Sequence, residues 1–429
     1  MLNVPEDIQN FYDKEIGSKK IRLEFYQYDY QTQPVYVLTN ENITYESLEL
    51  NEGISTEQNI RYGQCFSSKF TIELFGLKDK LGYDVDFINW RIKAFLICNP
   101  NNGEELYPQN GIYPFNLEEN IYPGGTIYED SILPLFVGYI TESKLKDNRD
   151  NRVITAYDVL QQRLTRDCTD LFWNDLIKGH TAKYIREKIL TWLNIPFENK
   201  SLANDDKGFQ DVTFQNNKNI KINARQALES ILEICGCFGH IDRYGIFRFI
   251  TLAKTYYNYP ALVTNENIKY PTKNLYLGLQ RDYNSTNLKR INDYKLCRYG
   301  ENSIAAITGV TFIKSNNLII DEFIVNNENI YISKGNAYLE YFADGLPVGD
   351  YISHAVLQQI KDIKYYPYTL ECAGRPYLEV GDYIRIWANN EDKDFIDVPI
   401  LSRTLKGIQS LMDTFEAKGK EKRNEYFRI

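Results

Sequence analysis

The chain has 429 residues but only three histidines and two methionines, and its cysteines form no CxxC pair. These shortages bound its chemistry. His180, His240 and His354 stand in no HExxH, HxH or HxxxH arrangement, so a zinc site would have to be assembled from distant parts of the chain. The seven cysteines are scattered, with Cys235-Gly236-Cys237 as their only close spacing. An odd set of this kind reads as reduced, buried thiols, and the CxC as two small apolar residues at a helix end. Nucleophile signatures are missing too: there is no GxSxG elbow, no SxxK, and no cysteine in a papain-like or caspase-like context. Cys235-Gly236-Cys237-Phe238-Gly239 follows a helix instead of opening one, which is the wrong geometry for a phosphate loop. No cofactor and no catalytic or metal-binding residue is therefore expected.

Long apolar runs are also lacking. None approaches about 18 residues, so neither a transmembrane helix nor stable membrane insertion is expected. The N-terminal stretch MLNVPEDIQNFYDKEIG has early acidic residues and no apolar core, unlike a signal peptide. Synthesis in a cytoplasm is the expectation. Positive charge is in deficit: 49 Lys and Arg against 58 Asp and Glu give a net charge of −9, a field that repels phosphate backbones.

What the chain does have is aromatic residues, 34 Tyr and 22 Phe, and a length that predicts two or three domains able to bury cores without staples. Heavy use of Asn, Ile, Lys and Tyr can reflect adenine-thymine-rich coding as easily as function. Up to about residue 160 the pattern is that of strands. Phe70, Ile72 and Leu74 alternate with Thr71 and Glu73, and Trp90 to Cys98 alternates in the same way. Phe136 to Ser143 and Arg152 to Tyr157, separated by KLKDNRDN, read as a hairpin. Between them and Cys98, Pro100, Pro108, Pro114, Pro123 and Gly124-Gly125 predict a long excursion from the sheet over residues 99–131.

The period then changes. Ala182, Ile185, Ile189 and Trp192 share one helix face, with Thr181 as N-cap and a stop near Asn194-Ile195-Pro196. A second helix starts at Asn223, with Gln226 in capping-box position and Ala227, Leu228, Ile231, Leu232 and Cys235 on its apolar face. Residues 201–219 between these helices read as a polar loop. A hairpin follows, turning at Asp242-Arg243-Tyr244-Gly245. Strands recur to the end of the chain: 305–314, 318–325, 366–372, 383–387, 396–406 and 411–418. One helix near 349–363 interrupts them.

Adjacent acidic pairs, Glu104-Glu105, Glu118-Glu119, Asp205-Asp206 and Asp321-Glu322, do not give the facing carboxyl groups a glycosidase needs and read as solvated. Tyrosines offer sugar-stacking faces, but their spread over every segment favours core, rim and interface roles.

The segment Ala373-Gly374-Arg375-Pro376-Tyr377-Leu378-Glu379-Val380-Gly381-Asp382-Tyr383-Ile384 resembles the G-x-P-x-L-E-x-G-D-x-I signature of phage tail hub proteins, the family of contractile baseplate hubs and non-contractile tail tips. Physically, Gly381-Asp382 makes a turn, after which Ile384 and Ile386 alternate with Tyr383 and Arg385. Two further stretches are similar to the family. Gly138 lies in a G-x-I strand that pairs with a T-A-x-D strand holding Ala156 and Asp158. A helix then runs into a hairpin holding Asp242 and Gly245. The family-motif positions are thus Gly138, Ala156, Asp158, Asp242, Gly245, Pro376, Leu378, Glu379, Gly381 and Asp382.

The resemblance implies an α+β, mainly β chain with two tail-tube-like β-barrel domains joined by a helix-containing middle region. Residues 1–160 would form the first barrel with its insertion at 99–131, residues 161–268 the helical and hairpin middle, and residues 269–429 the second barrel with one inserted helix. It also implies a non-enzymatic virion structural protein at the tail tip or baseplate. Such a homotrimer adapts a hexameric tail tube, or distal tail ring protein, to a central spike or tip protein, beside the tape measure protein and other baseplate components, with only transient DNA passage. The alternative class is a cell-wall-degrading or carbohydrate-binding tail protein acting on the host surface.

Overall fold

The computed structural model describes residues 6–13, 19–55, 60–76, 86–98, 132–146, 151–207, 220–252, 289–291, 294–299, 304–340, 352–387 and 395–419. The expected excursion at 99–131 and the boundary at 268/269 lie outside them. The fold is α+β and mainly β. Its first element is a helix, α1 (Glu6–Asp13), where the sequence reading had only strands. Ile8, Phe11 and Tyr12, at helical steps, are buried and explain it.

Seven strands follow: β1 (Lys19–Tyr26), β2 (Tyr36–Thr39), β3 (Glu49–Gly53), β4 (Lys69–Phe75), β5 (Arg91–Cys98), β6 (Ile132–Leu145) and β7 (Asn151–Tyr157). The alternation read in β4 and β5 is the burial alternation observed, and β6 and β7 pair antiparallel as the expected hairpin. After a short helix α2 (Val159–Arg163) come α3 (Ala182–Trp192) and α4 (Ala224–Ile234). The Thr181 hydroxyl accepts from the Tyr184 N–H, and Asn223 with Gln226 closes a complete capping box. The apolar face read for α4 is fully buried. On α3, however, Trp192 is 38% exposed, and the buried face includes Arg186 and Leu190 beside Ala182, Ile185 and Ile189.

The hairpin β8 (Phe238–Ile241) and β9 (Phe247–Ile250) packs behind α4. Ten further strands complete the chain: β10 (Lys289–Ile291), β11 (Tyr294–Tyr299), β12 (Gly309–Ile313), β13 (Ile319–Ile324), β14 (Ile330–Lys334), β15 (Tyr368–Ala373), β16 (Tyr383–Trp387), β17 (Phe395–Pro399), β18 (Ser402–Lys406) and β19 (Met412–Ala417). The helix α5 (Ile352–Ile360) lies between β14 and β15. Strands β13, β12 and β14 form a small sheet tied to α4 through the buried carboxylate of Glu233. This group accepts from the Tyr331 hydroxyl at 2.7 Å and from Asn336 at 2.9 Å.

The main sheet has eleven strands in the order β11-β15-β19-β18-β3-β4-β7-β6-β5-β1-β2. Strands from both halves of the chain therefore share one hydrogen-bonded sheet. The joint is the antiparallel pairing of β3 with β18, in which Leu50 faces Leu405 and Glu52 faces Arg403. Residues 396–406, read as one strand, are two, and they belong to different sheets. The Gly381 N–H donates to the Ile400 carbonyl, and the Ile400 N–H donates to the Asp382 carbonyl, so the chain turns out of one ladder and enters the next after Pro399.

The double substitution Asn223→Ala/Gln226→Ala removes both bonds of the capping box and should lower stability by about 1–2 kcal/mol, whereas Thr181→Ala, which removes one, should cost about 1 kcal/mol or less. Urea denaturation checks the ranking.

Candidate functional site

The side chains that join the two halves were not among the residues singled out from the sequence. Arg403 on β18 is fully buried, and its Nε and Nη2 donate to the two carboxylate oxygens of Asp413 on β19 at 2.6 and 3.0 Å. Its Nη1 reaches Glu52 on β3 at 3.2 Å and donates to the Leu378 carbonyl at 2.6 Å. Arg243, in the turn of the β8–β9 hairpin, donates to the same Leu378 carbonyl at 2.7 Å and lies 3.6 Å from Glu52. Arg375 completes the group. Its N–H donates to Asp413 at 2.6 Å, and its Nε lies 3.2 Å from Asp13 at the end of α1. Tyr377 donates to the same Asp13 at 2.6 Å.

Six pieces of chain thus meet in one desolvated ionic cluster: α1, β3, the hairpin turn, the 374–382 segment, β18 and β19. Burial pushes the Arg243 guanidinium below its ordinary value against the pull of Glu52. Burial also opposes the charge on Arg403, but Asp413 and then Glu52 outweigh it and hold that group above its ordinary value. The sequence did carry a signal for this cluster. Glu52, Arg403 and Asp413 sit in the same alternation phase as Leu50, Leu405 and Phe415, so each is a charge at an inward position of a strand.

The expected motif positions lie around this cluster. Pro376, Leu378 and Glu379 are buried within the segment that caps it. The Asp382 carboxylate accepts from the Glu379 N–H at 2.8 Å and closes the turn. Gly381 has φ +86°, and a Cβ there would lie 2.5 Å from Ile250 of β9, so conformation and space both demand glycine. Asp242 accepts from the Tyr244 and Ile246 N–H groups, each at 2.9 Å, and from Arg248 at 2.7 Å. Gly245 has φ +82° and faces Val137, the neighbour of Gly138. A Cβ on Gly138 would lie 2.3 Å from the Tyr157 carbonyl.

Ala156 is fully buried in the inward row that runs Leu405–Leu50–Phe70–Ala156–Ile140 across five strands. Asp158 caps α2, accepting from the Leu160 N–H, the Ser68 N–H and the Ser67 hydroxyl. Burial pushes its carboxyl up to about 6 against these hydrogen bonds. All ten positions hold turns, caps and close packing.

His240 is fully buried in β8. One expectation needs correction. The acidic pairs are only half solvated. Asp205 is buried in a two-point pair with Arg186, at 3.0 and 2.8 Å, and Asp321 accepts from the Ser353 N–H and hydroxyl, while Asp206 and Glu322 are exposed. The other two pairs lie outside the described residues. The described cysteines are free thiols, buried except for the half-buried Cys297. Among the described residues no cluster of His, Cys, Asp or Glu is placed to hold a metal, and no helix is long and apolar enough to cross a membrane.

The opposite face of the main sheet is a polar surface. One row crosses eight strands through Glu371, Thr414, Thr404, Asn51, Lys69, Tyr157, Tyr139 and Arg91. Several charges on this face are paired: Lys406 lies 3.3 Å from Glu49, Lys146 2.5 Å from Glu73, and Lys144 2.7 Å from Glu142. Glu49 is held below its ordinary value by the Asn51 hydrogen bond and by Lys406, against partial burial.

No protein-family model and no curated protein matches the chain. Among solved structures it is similar to a tail protein from Neisseria meningitidis MC58, with 7% identity and a TM-score of 0.47 over 94% of this chain and 97% of that one. It is similar also to the 43 kDa tail protein of prophage MuSo2 from Shewanella oneidensis, with 9% identity and a TM-score of 0.43 over 93% and 96%. A chain of the p2 virion baseplate in its activated conformation gives 10% identity and a TM-score of 0.31 over 94% and 100%. These are tail and baseplate proteins, the class whose motifs the sequence resembles. At such identities no residue role passes from them to this chain.

Two outcomes test the site. Arg403→Met leaves Asp413 buried without its guanidinium and Glu52 with Arg243 alone, and should cost about 3–5 kcal/mol; pairing it with Asp413→Leu should recover much of the loss in denaturant melts. For Asp158 the sign follows from its raised value. Below about pH 4 the carboxyl is protonated in both folded and unfolded states; as pH rises through about 6 the folded state is left with a buried charge, so stability falls by up to about 3 kcal/mol. Asp158→Asn should remove that loss, so its stability relative to the parent protein should climb between pH 4 and 7. A pH-independent difference would refute the assignment.

Proposed function

We propose that the chain is a structural virion protein of a phage tail or phage tail-like particle. In this reading three copies form a baseplate or tail-tip hub that adapts a hexameric tail tube to a central spike or tip. The observation that carries it is the single eleven-stranded sheet in which strands of both halves are fused at β3–β18, apolar and ionically locked on one side and polar on the other. A subunit with two related strand-rich halves presents two similar surfaces per copy, so three copies offer six to a hexameric neighbour. Closed rotational symmetry then buries heterologous edges. Residues 1–160 and 269–429 are the two barrel domains in this scheme, and residues 161–268 the middle domain. No step needs a catalytic residue.

The polar face suits the lining of the channel. Threonine, serine and asparagine side chains with matched lysine and glutamate pairs leave a weak local field, so a passing phosphate backbone meets no cationic trap. The partners are the tube or distal ring protein above, the spike or tip below, the tape measure protein and other baseplate components.

Native mass spectrometry of the purified chain, with images of the assembled tail end, should return three copies in a ring. A stable monomer that clears peptidoglycan in a zymogram would overturn the proposal in favour of a cell-wall-acting protein, and six copies would favour a ring above the hub.

A further inference from the structure

Many of the described bulky aromatic side chains are buried in the core, yet two tyrosines are held out in solvent by a turn that is itself rigidly braced. Tyr28 and Tyr30, between β1 and β2, are 47% and 72% exposed. Their rings are parallel within 4°, with centroids 5.4 Å apart, so they form a stepped ledge. The turn beneath does not depend on this stacking. The Gln31 N–H donates to the Tyr28 carbonyl at 3.2 Å, and the Tyr28 N–H donates to the Gln31 side chain at 3.0 Å. From β5, the Arg91 guanidinium donates to the Asp29 and Gln31 carbonyls, each at 3.0 Å, and packs 4.5 Å over the ring of Tyr26. Asp29 is held in turn by Arg163 of α2 at 3.6 Å and by the Tyr139 hydroxyl of β6. Three separate elements therefore fix a turn whose outward side chains are the two rings.

We infer that this ledge is a binding subsite for a neutral glycan. The chemistry around it selects that class. Gln27, Thr32 and Gln33 flank the rings, all exposed, and the one acid of the turn, Asp29, is engaged by Arg163. An aromatic face takes the apolar C–H face of a pyranose ring, and uncharged amide and hydroxyl groups at its margin match equatorial hydroxyls. A protein interface calls for a broad apolar centre of about 800 Å² on each partner, whereas this ledge is two rings wide and its flanks are polar. A rigid turn also avoids the ordering cost that would otherwise consume a weak sugar contact. The subsite would add surface recognition to a structural subunit. It stands independently of the hub proposal, because copy number and glycan binding are read by different measurements.

The test uses the intact chain and a panel of maltohexaose, cellohexaose and chitohexaose, followed by saturation-transfer NMR and by tyrosine fluorescence titration. At least one oligosaccharide should bind through its ring C–H protons. The Tyr28→Ala/Tyr30→Ala variant should weaken it at least tenfold, Tyr28→Phe/Tyr30→Phe should retain it, and Tyr45→Ala should leave it unchanged. Should the double alanine variant fail to fold, Tyr30→Ala alone, at the more exposed ring, serves for it. Absence of binding across the panel overturns the inference, as does equal binding by the alanine variant. A change of copy number in the alanine variant would assign the ledge to a subunit contact and overturn it as well.

Discussion

The packing of Arg403 between Asp413 and Glu52 is the contact on which the architecture turns. It sits where β3 meets β18, the single ladder that makes one sheet out of strands separated by some 350 residues. Removing three guanidinium groups from water is costly, and the cost is offset only if every group finds a partner in the right place. The segment 374–382 supplies carbonyls and the end of α1 a carboxylate to that requirement, while the hairpin turn brings in the Arg243 guanidinium. A shift of any one of these pieces would leave a charge buried and unmatched. Such a cluster adds little net stability compared with apolar packing, but it strongly penalises alternative registers between the two halves.

This division of labour explains why the motif side chains surround the cluster, to which Leu378 lends only its backbone carbonyl. Gly381, Gly245 and Gly138 permit close approach of the segments, and Asp242, Asp382 and Asp158 hold turns and a helix start. They shape the backbone so that the arginines arrive. The opposite face of the same sheet carries hydroxyl, amide and charged side chains, several of them in ion pairs.

Local pattern made much of the fold legible in advance. The period-two runs of β4 and β5, the β6–β7 hairpin, the capping box of α4 and the turn at Asp242 were all readable because the physics behind them acts over a few residues. α1 escaped because eight residues carry too short a period to outweigh the strand signals that follow. The run at 396–406 was read as one strand although Ile400 and Leu401, adjacent and both buried, shift its alternation phase after Pro399; the hydrogen bonds from the 381–382 turn, distant in sequence, mark the break.

The sequence by itself determined the absence of organised catalytic motifs, the strand-rich composition and the turns that glycine and aspartate enforce, since these rest on residue chemistry and spacing. Only the tertiary structure decided which charges are buried, which tyrosines are exposed and which strands pair across the halves. Those properties depend on long-range contacts, and a buried Arg403 and an exposed lysine look alike until the strand beside it is known. The alternation phase of Arg403 hinted that it pointed inward, but its partners Asp413 and Glu52 could be matched to it only once β18 lay between β19 and β3.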